Sequence, residues 1–416
     1  MSPQMKIPTF LSSSSSTRVL VFASVVMALA LGVRQSLSLF LAPMTLVGPL
    51  GRESFSLGIG IQNLVWGLSG PLAGWLADRF GTKPVVVGCA TAFTAGIAIM
   101  ALSSTAVGFM FGAGLLAGAG LTGTTFTVLF GAIARAYPGV ARARALAIGA
   151  ALGSVGQVVI VPVAQALVSS LGWHQALWGL VAVAALTIPC AFGLGRPAYG
   201  SEAPAATVAG SSLSSAVRDR KYLLVAAGFF ACGLQLVFIG THLVAYLLGC
   251  GLTARDGVLA LSLIGLFNVA GTFLLGRLAA KIDPSHLLAG VYAVRTVFIV
   301  AFVLTPISVT TVMVFSSAMG LLWLGVGPVM TQLLAIRFGM RHLAALFGGM
   351  YLVHQIGSFV GAWIGGRIYE QTGSYSEAWL LCVVVGLVAV VLTAFSGKGP
   401  LLPQAPRDRG LAEAAA

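Results

Sequence analysis

Two arginines stand in stretches that otherwise carry no charge. Arg34 sits in "LGVRQSLSLF", inside the apolar run 19–44, and Arg295 sits inside the run 285–304. A guanidinium stays protonated at any physiological pH and presents N–H donors in a planar fork that matches a carboxylate bidentately. The chemistry this residue type offers in an apolar run is anion holding. His354 and Gln355 occupy the middle of the run 343–368, and His242 lies in the run 222–248. An imidazole there can take up a proton near neutral pH. Gln35, Gln62, Asn63, Thr122, Thr125, Gln157, Gln235, Asn268, Gln332 and Tyr351 are further hydrogen-bonding groups in such runs. Each also fits a plain helix-helix hydrogen bond, the commoner use of such groups inside a membrane.

The aspartates and glutamates are distributed differently. Asp78, Glu202, Asp219, Asp283, Asp408, Glu413, Glu53, Asp256, Glu370 and Glu377 all fall at or beyond the ends of the apolar runs. Arg34 and Arg295 therefore have no carboxylate in any run to answer them. A buried ion without compensation is costly, and arginine cannot shed its proton to escape that cost. The compensation must come from dipoles, water or a ligand.

The elements that position these groups are legible in composition. Of 416 residues, 58% are apolar and 8% charged, and the mean hydropathy is +0.99. Those values describe an integral membrane protein lying in the lipid bilayer. About 20 apolar residues cross a bilayer core. Such runs fall at 19–44, 56–77, 84–104, 107–133, 145–170, 174–194, 222–248, 257–280, 285–304, 309–335, 343–368 and 375–395. The expected fold is an all-α membrane protein with twelve transmembrane helices in two six-helix pseudo-symmetric bundles. The expected organisation is a disordered cytoplasmic tail at 1–18, a bundle at 19–194, a cytoplasmic linker at 195–221, a second bundle at 222–395 and a tail at 396–416. The Ser-rich start has no short apolar core with a cleavage-like site, so it reads as a tail and not as a signal peptide.

The net charge of +13 would suggest nucleic acid in a soluble chain. Its placement points to membrane orientation instead, and no nucleic-acid partner is expected. With a cytoplasmic N-terminus, eighteen of the 23 Lys and Arg residues fall on the cytoplasmic side, as the positive-inside rule requires. Only Arg52, Arg255 and Arg367 fall outside. The five cysteines, Cys89, Cys190, Cys232, Cys250 and Cys382, show no CxxC pair and no His at ligand spacing, so no metal or disulfide framework is expected. No nucleotide-binding motif and no nucleophile-base pair occurs, so the chain is not expected to be an enzyme or to need a cofactor.

The halves repeat. "GWLADRFGTKP" from Gly74 and "GRLAAKIDPSH" from Gly276 lie 202 residues apart, as do Arg135 and Arg337. Parallel six-helix repeats suit a carrier that rocks around a central cavity.

Gly74, Asp78, Arg79, Gly81 and Lys83 resemble the loop 2-3 signature of the major facilitator superfamily, G-x-x-x-D-R-x-G-R-[RK], with Thr82 where an Arg is usual. With the layout of six and six, the resemblance covers essentially the whole chain. It implies a gating role for Gly74, Asp78, Arg79 and Gly81. Asp78 and the basic residues would form a latch that breaks when the halves rock, and Gly74 would permit close helix approach. "GVRQSLSLFLAPM", "GTHLVAYL" and "MYLVHQIGSFVGAWIGG" further resemble bacterial members of the monocarboxylate and oxalate/formate antiporter branch. That branch carries an Arg in helix 8 where this chain has Thr272, and a cation in helix 11 at the position of His354.

The expected function is secondary active transport of a small organic anion, monocarboxylate-like, by a protein functional as a monomer in a bacterial inner membrane. Arg34 is the expected carboxylate clamp. Gln35, Gln62, Thr125, Gln157, Gln235, His242, Asn268, Tyr351, His354 and Gln355 are the expected lining, and Gln235 is nearly the pseudo-symmetric counterpart of Arg34. Arg295, in the usually peripheral helix 9, is a secondary candidate that also fits a reach to backbone carbonyls. Exchange against a counter-anion, uniport, and proton coupling through His354 all fit. The alternative is an exporter of hydrophobic drugs or other small metabolites on the same fold.

Overall fold

The computed structural model describes residues 14–46, 48, 50–137, 140–194, 217–279, 281–338 and 343–396. The expected N-terminal tail (to residue 13), most of the linker (195–216) and nearly all of the C-terminal tail (397–416) lie outside the described residues. Grouped across their internal breaks, the described helices make twelve. These are α1 (Ser14–Ser36), α2 (Arg52–Phe80), α3 (Thr82–Leu102), α4 (Ala106–Ala136), α5 (Val140–Leu171), α6 (Trp173–Phe192), α7 (Arg220–Gly249), α8 (Ala254–Ala279), α9 (Pro284–Leu304), α10 (Val309–Phe338), α11 (Leu343–Thr372) and α12 (Ser376–Phe395). A membrane offers no water to backbone N–H and C=O groups, so helices that close their own hydrogen bonds are the available solution. Ten of these helices are long and apolar enough to cross a membrane. α2 and α11, of 29 and 30 residues, are about 43 to 45 Å long at about 1.5 Å per residue. Near their middles they carry the polar pairs Gln62-Asn63 and His354-Gln355.

The start signals are local. Asp219 accepts from the N–H groups of Lys221 and Tyr222 at 2.8 and 3.1 Å and caps α7. Asp283 does the same for α9 through Ser285 and His286, with Pro284 opening the helix. Ser308 and Thr311 form a reciprocal capping box at α10.

Two buried apolar clusters organise the packing. One is built almost wholly from α1 to α6, the other from α7 to α12. The two halves repeat each other in detail. In the first, α1 and α5 cross at Gly32 and Gly156: a Cβ on Gly32 would collide with the Gly156 carbonyl, and one on Gly156 with the Ala28 carbonyl. In the second, α7 and α11 cross at Gly233 and Gly357, whose Cβ positions are filled by the His354 and Phe230 carbonyls. Both glycines recur 201 residues later. Helix association in lipid relies on such close backbone approach, because apolar side chains gain little there from contact with one another. Gly172 and Gly373, again 201 residues apart, make the tight α5-α6 and α11-α12 turns with φ of +82° and +70°, a region where a side chain is strained.

Several spans are not regular. α1 passes into a 3-10 turn at Leu37–Phe40 and a short helix at Leu41–Leu46. α4 widens into a π-turn at Met110–Leu116 and breaks at Thr125, while α10 breaks between Leu321 and Val326. The freed backbone is satisfied by side chains from elsewhere. Asn268 of α8 accepts the Leu324 N–H at 3.0 Å, as irregular backbone at membrane depth requires.

We call the end holding Ser14, Leu194, Arg220 and Ser396 the terminal end and the opposite one the far end. Polar contacts between the halves run from the middle of the molecule to the far end. Midway, Gln355 of α11 donates to the Asn63 carbonyl of α2 at 3.0 Å, and Asn268 donates to Ser154 of α5 at 2.9 Å. At the far end Glu53 pairs with Arg367 at 3.1 Å. Toward the terminal end, the ion pair of the described residues 70–137 stays within the first half.

Candidate functional site

Arg34 is held on the last turn of α1, just before the 3-10 segment. Its Nη2 donates to Asn63 Oδ1 at 2.7 Å, and its guanidinium lies over the Trp66 ring at 5.1 Å. Asn63 is oriented by its own amide, which donates to the Ile59 carbonyl at 2.7 Å. No carboxylate pairs with Arg34 among the described residues, and its buried Nε has no hydrogen-bond acceptor. Trp66 Nε1, also buried, has none either. Each N–H left unmet in an apolar site forfeits its solvation, a cost that an acceptor arriving from outside would recover.

The second half closes against this group through α11. Tyr351 meets Trp66 edge to face at 6.2 Å and stacks on His354 at 5.9 Å. The His354 ring is flanked on its other side by Phe229 of α7 at 4.5 Å. His354 Nδ1 lies 3.1 Å from Gln355 Oε1, and Gln355 Nε2 donates to the Asn63 carbonyl. The structure therefore assembles Arg34, Asn63, Trp66, Tyr351, His354 and Gln355 into one patch built from α1, α2 and α11. Asn63 sits about 16 Å from the far end of α2, counting about 1.5 Å per residue, which puts the patch near mid-membrane. Gln35 is buried beside Gly240 of α7 with its Nε2 unmet, and Gln157 is buried against Gly265 of α8 with its Oε1 unmet. Both sit at contacts between the halves.

Other expected lining residues make their hydrogen bonds outside this patch. Gln62 is fully buried and donates to the Ala113 carbonyl of α4 at 2.8 Å. Gln235 donates to the Cys382 carbonyl of α12 at 2.8 Å, so it ties two helices of its own half together. Thr125 turns its hydroxyl back to the Leu121 carbonyl at the break in α4. Asn268 bridges Ser154 and the broken α10 backbone. His242 belongs to the far end, with Nε2 at 2.8 Å from the Ala362 carbonyl and Nδ1 at 3.3 Å from the Tyr375 hydroxyl.

Arg295 shows the other way of housing a guanidinium. It has no exposed surface. One Nη donates to the Cys232 sulfur at 3.2 Å and the other to the Leu322 carbonyl, at the break in α10. This is the carbonyl reach allowed for it from sequence.

At the terminal end, Asp78 pairs with Arg135 of α4 at 3.2 Å, and Arg135 also donates to Thr82 at 2.8 Å. Arg79 lies over the rings of Trp75 and Phe80. Gly81 turns α2 into α3 with φ +89°. A Cβ on Gly74 would meet nothing within 4 Å. In the second half the matching Arg337 donates to Ser285 at 2.7 Å, with Asp283 and Asp219 acting on it electrostatically.

Sequence reading underrated Asn63, which it named only among many amides, and did not single out Trp66. The signal that singles them out is their register in α2, one and four residues beyond Gln62, and that becomes informative only once α1 is known to pack there.

A model of the Major Facilitator Superfamily matches residues 10–343. Monocarboxylate transporter 13 of Bos taurus is 26% identical over 361 residues, covering 85% of this chain and 83% of that protein. An uncharacterized MFS-type transporter of Bacillus subtilis, YcxA, is 23% identical and covers 86% of this chain and 90% of its own length. Among solved structures, a bacterial homolog of the human lysosomal transporter Spinster, in an inward-facing and occupied conformation, superposes with a TM-score of 0.72. It is 16% identical and covers 92% of this chain and 97% of that one.

Proposed function

The chain belongs to the Major Facilitator Superfamily and is a multi-pass membrane transporter; we propose that it carries a small organic anion of the monocarboxylate kind, with Arg34 clamping the carboxylate. One observation carries this reading. Arg34 is a guanidinium near mid-membrane, held in place by a single neutral amide, with a buried unmet Nε and, among the described residues, no carboxylate paired with it. An anion supplies the missing acceptors and the missing charge together, through charge-assisted hydrogen bonds stronger than those a neutral solute offers. The names of the mammalian relatives support the substrate class.

The mechanism follows from which half holds what. Bundles 19–194 and 222–395 are the rocking units. Arg34, Asn63 and Trp66 belong to the first, and Tyr351, His354 and Gln355 to the second. A carboxylate on Arg34 lies beside residues of both, so filling the site changes the contacts along which the halves swing. Asn63 is pivotal, since its side chain aims Arg34 while its carbonyl receives Gln355. His354 is the proposed proton carrier of the site, because its ring faces Tyr351 and Gln355 and meets no carboxylate. The charge distribution supports a bacterial inner membrane with both termini in the cytoplasm, which makes the far end the outer side. The chain then rests closed outside and open inside, the posture in which the solved relative was captured. Asp78, Arg135 and their neighbours serve as the inner latch once the halves close there.

Uptake of a panel of labelled carboxylates into proteoliposomes tests the reading. Saturable uptake of at least one small monocarboxylate, competed by other carboxylates and not by amines, is the expected result. Movement of cationic or hydrophobic compounds alone sinks it.

A further inference from the structure

At the far end, three consecutive residues at the start of α2 grip the last turns of α11. Glu370 accepts the Glu53 backbone N–H at 2.7 Å and so caps the N-terminus of α2 from the other half, where the helix dipole favours a carboxylate. Glu53 Oε1 accepts from Trp363 Nε1 at 2.9 Å and from Arg367 Nη1 at 3.1 Å. Arg52 stacks on Tyr369, its guanidinium carbon 3.6 Å from the ring centroid, and donates to the Tyr375 hydroxyl at 3.2 Å. Gly51 and Gly366 have no room for a Cβ, against the Glu370 carboxylate and Ser56 respectively. The latch thus joins two guanidiniums and two carboxylates, and its formal charges cancel.

A titratable group is wired into it from a third helix. His242 of α7 is 1% exposed. Its Nε2 faces the Ala362 carbonyl, which can only accept, so Nε2 carries the ring proton and Nδ1 is the acceptor for the Tyr375 hydroxyl. A phenol ordinarily titrates at ~10, so the Tyr375 O–H is intact under working conditions. The order is Arg52 N–H to Tyr375 oxygen, Tyr375 O–H to His242 Nδ1, and His242 Nε2–H to the Ala362 carbonyl. Gly365 lets the imidazole approach α11, since a Cβ there would strike the ring.

We propose that His242 is a proton-binding site that controls this outer latch. A proton arriving from the outside on Nδ1 turns the acceptor into a donor, so the Tyr375 O–H loses its partner and has to turn away. It also adds one positive charge to a cluster whose formal charges otherwise cancel. The groups facing that charge are Tyr375 and, through it, Arg52 of α2. Tyr369, Glu370 and Arg367 follow on α11, then Glu53 on α2 and Tyr246 on α7 itself. From α8, Asp256 is turned to Thr253 at 2.7 Å, and Glu377 of α12 is exposed, so neither answers it. Parting α2 from α11 moves Arg52 away from the imidazolium and admits water. The open form therefore takes up the proton in preference to the latched form, and proton binding shifts the population toward opening. The site is separate from Arg34 and does not depend on which solute the carrier moves.

The test uses the full chain in nanodiscs with a donor-acceptor pair of fluorescent unnatural amino acids at the exposed far-end positions Ser104 and Gln371. Energy transfer is read from about pH 8 to about pH 5.5, across the ordinary histidine range. Transfer is expected to fall with pH, the open population rising at least about fivefold, within the usual span of a coupling between sites. In His242→Gln the fall should vanish. Tyr375→Phe keeps the ring and removes the relay, so it should start more open and respond less than the parent, the charge on His242 acting alone; it decides the matter if His242→Gln fails to fold. Glu370→Gln should start more open and still respond. A response that survives in His242→Gln or is undiminished in Tyr375→Phe, one lost only in Glu370→Gln, or no response in the parent overturns the proposal.

Discussion

Arg34 and Arg295 are the same side chain placed in two helices of one membrane protein, each without a carboxylate, and the structure treats them in opposite ways. Arg295 is sealed, and the protein supplies an acceptor to each of its Nη atoms, the Cys232 sulfur and a carbonyl freed where α10 breaks, leaving only Nε unmet. Arg34 is half-buried, makes one bond to a neutral amide, lies over an indole and faces the helix contributed by the other half. A charge in a membrane is therefore not in itself a site. What separates a structural guanidinium from a ligand-ready one is how far the fold has already met its terminal Nη donors, since the Nε of both arginines is buried without an acceptor.

The contrast can be broken most forcefully at Arg34. Arg34→Ala should reduce carboxylate uptake, as kcat/KM in proteoliposomes, on the order of 100-fold, since about 3 kcal/mol of charge-assisted bonding is lost. Its folding, followed by thermal unfolding in detergent, should hardly change. Arg295→Ala should invert that pattern. The Leu322 carbonyl loses its donor, and the protein should lose about 2 to 3 kcal/mol of stability while KM stays near the parent value. Normal stability in Arg295→Ala with a raised KM would merge the two arginines into one function. A finer division lies in α2. Asn63→Ala frees Arg34 from its aim and should raise KM about tenfold. Gln62→Leu, one residue earlier but facing α4, should cost only about 0.6 kcal/mol and leave uptake kinetics unchanged.

That last pair shows why the fold was easier to read than the site. The twelve spans follow from hydrocarbon thickness and run length, properties of each segment alone, and the repeat follows from glycines and arginines recurring about 200 residues on. The 3-10 turn at Leu37–Phe40 and the breaks at Thr125 and Leu322 were hidden, because an apolar run looks the same whether or not its backbone is regular. The groups that repair such breaks, such as Asn268 for Leu324, come from distant helices. Gln62 and Gln235 resemble Asn63 and Gln355 as sequence, amides in apolar runs. Which of them faces the other half is fixed by rotation about the helix axis, and single-helix hydropathy does not encode that. Arg34 was legible because charge is so rare here that a full inventory left it without a partner. The far-end latch was not, since Arg52, Glu53, Arg367 and Glu370 read individually as interfacial charges.

Ligand-induced stabilisation measures the central claim most directly, because it needs neither a gradient nor a known transport direction. Thermal unfolding would be followed for the parent, Arg34→Gln and Arg295→Gln across a concentration series of the best carboxylate from the uptake panel. A ligand that binds the folded state raises the midpoint as its concentration rises. The account predicts a concentration-dependent rise in the parent and in Arg295→Gln, from a lower starting point in the latter, and no rise in Arg34→Gln. An undiminished rise in Arg34→Gln would contradict it.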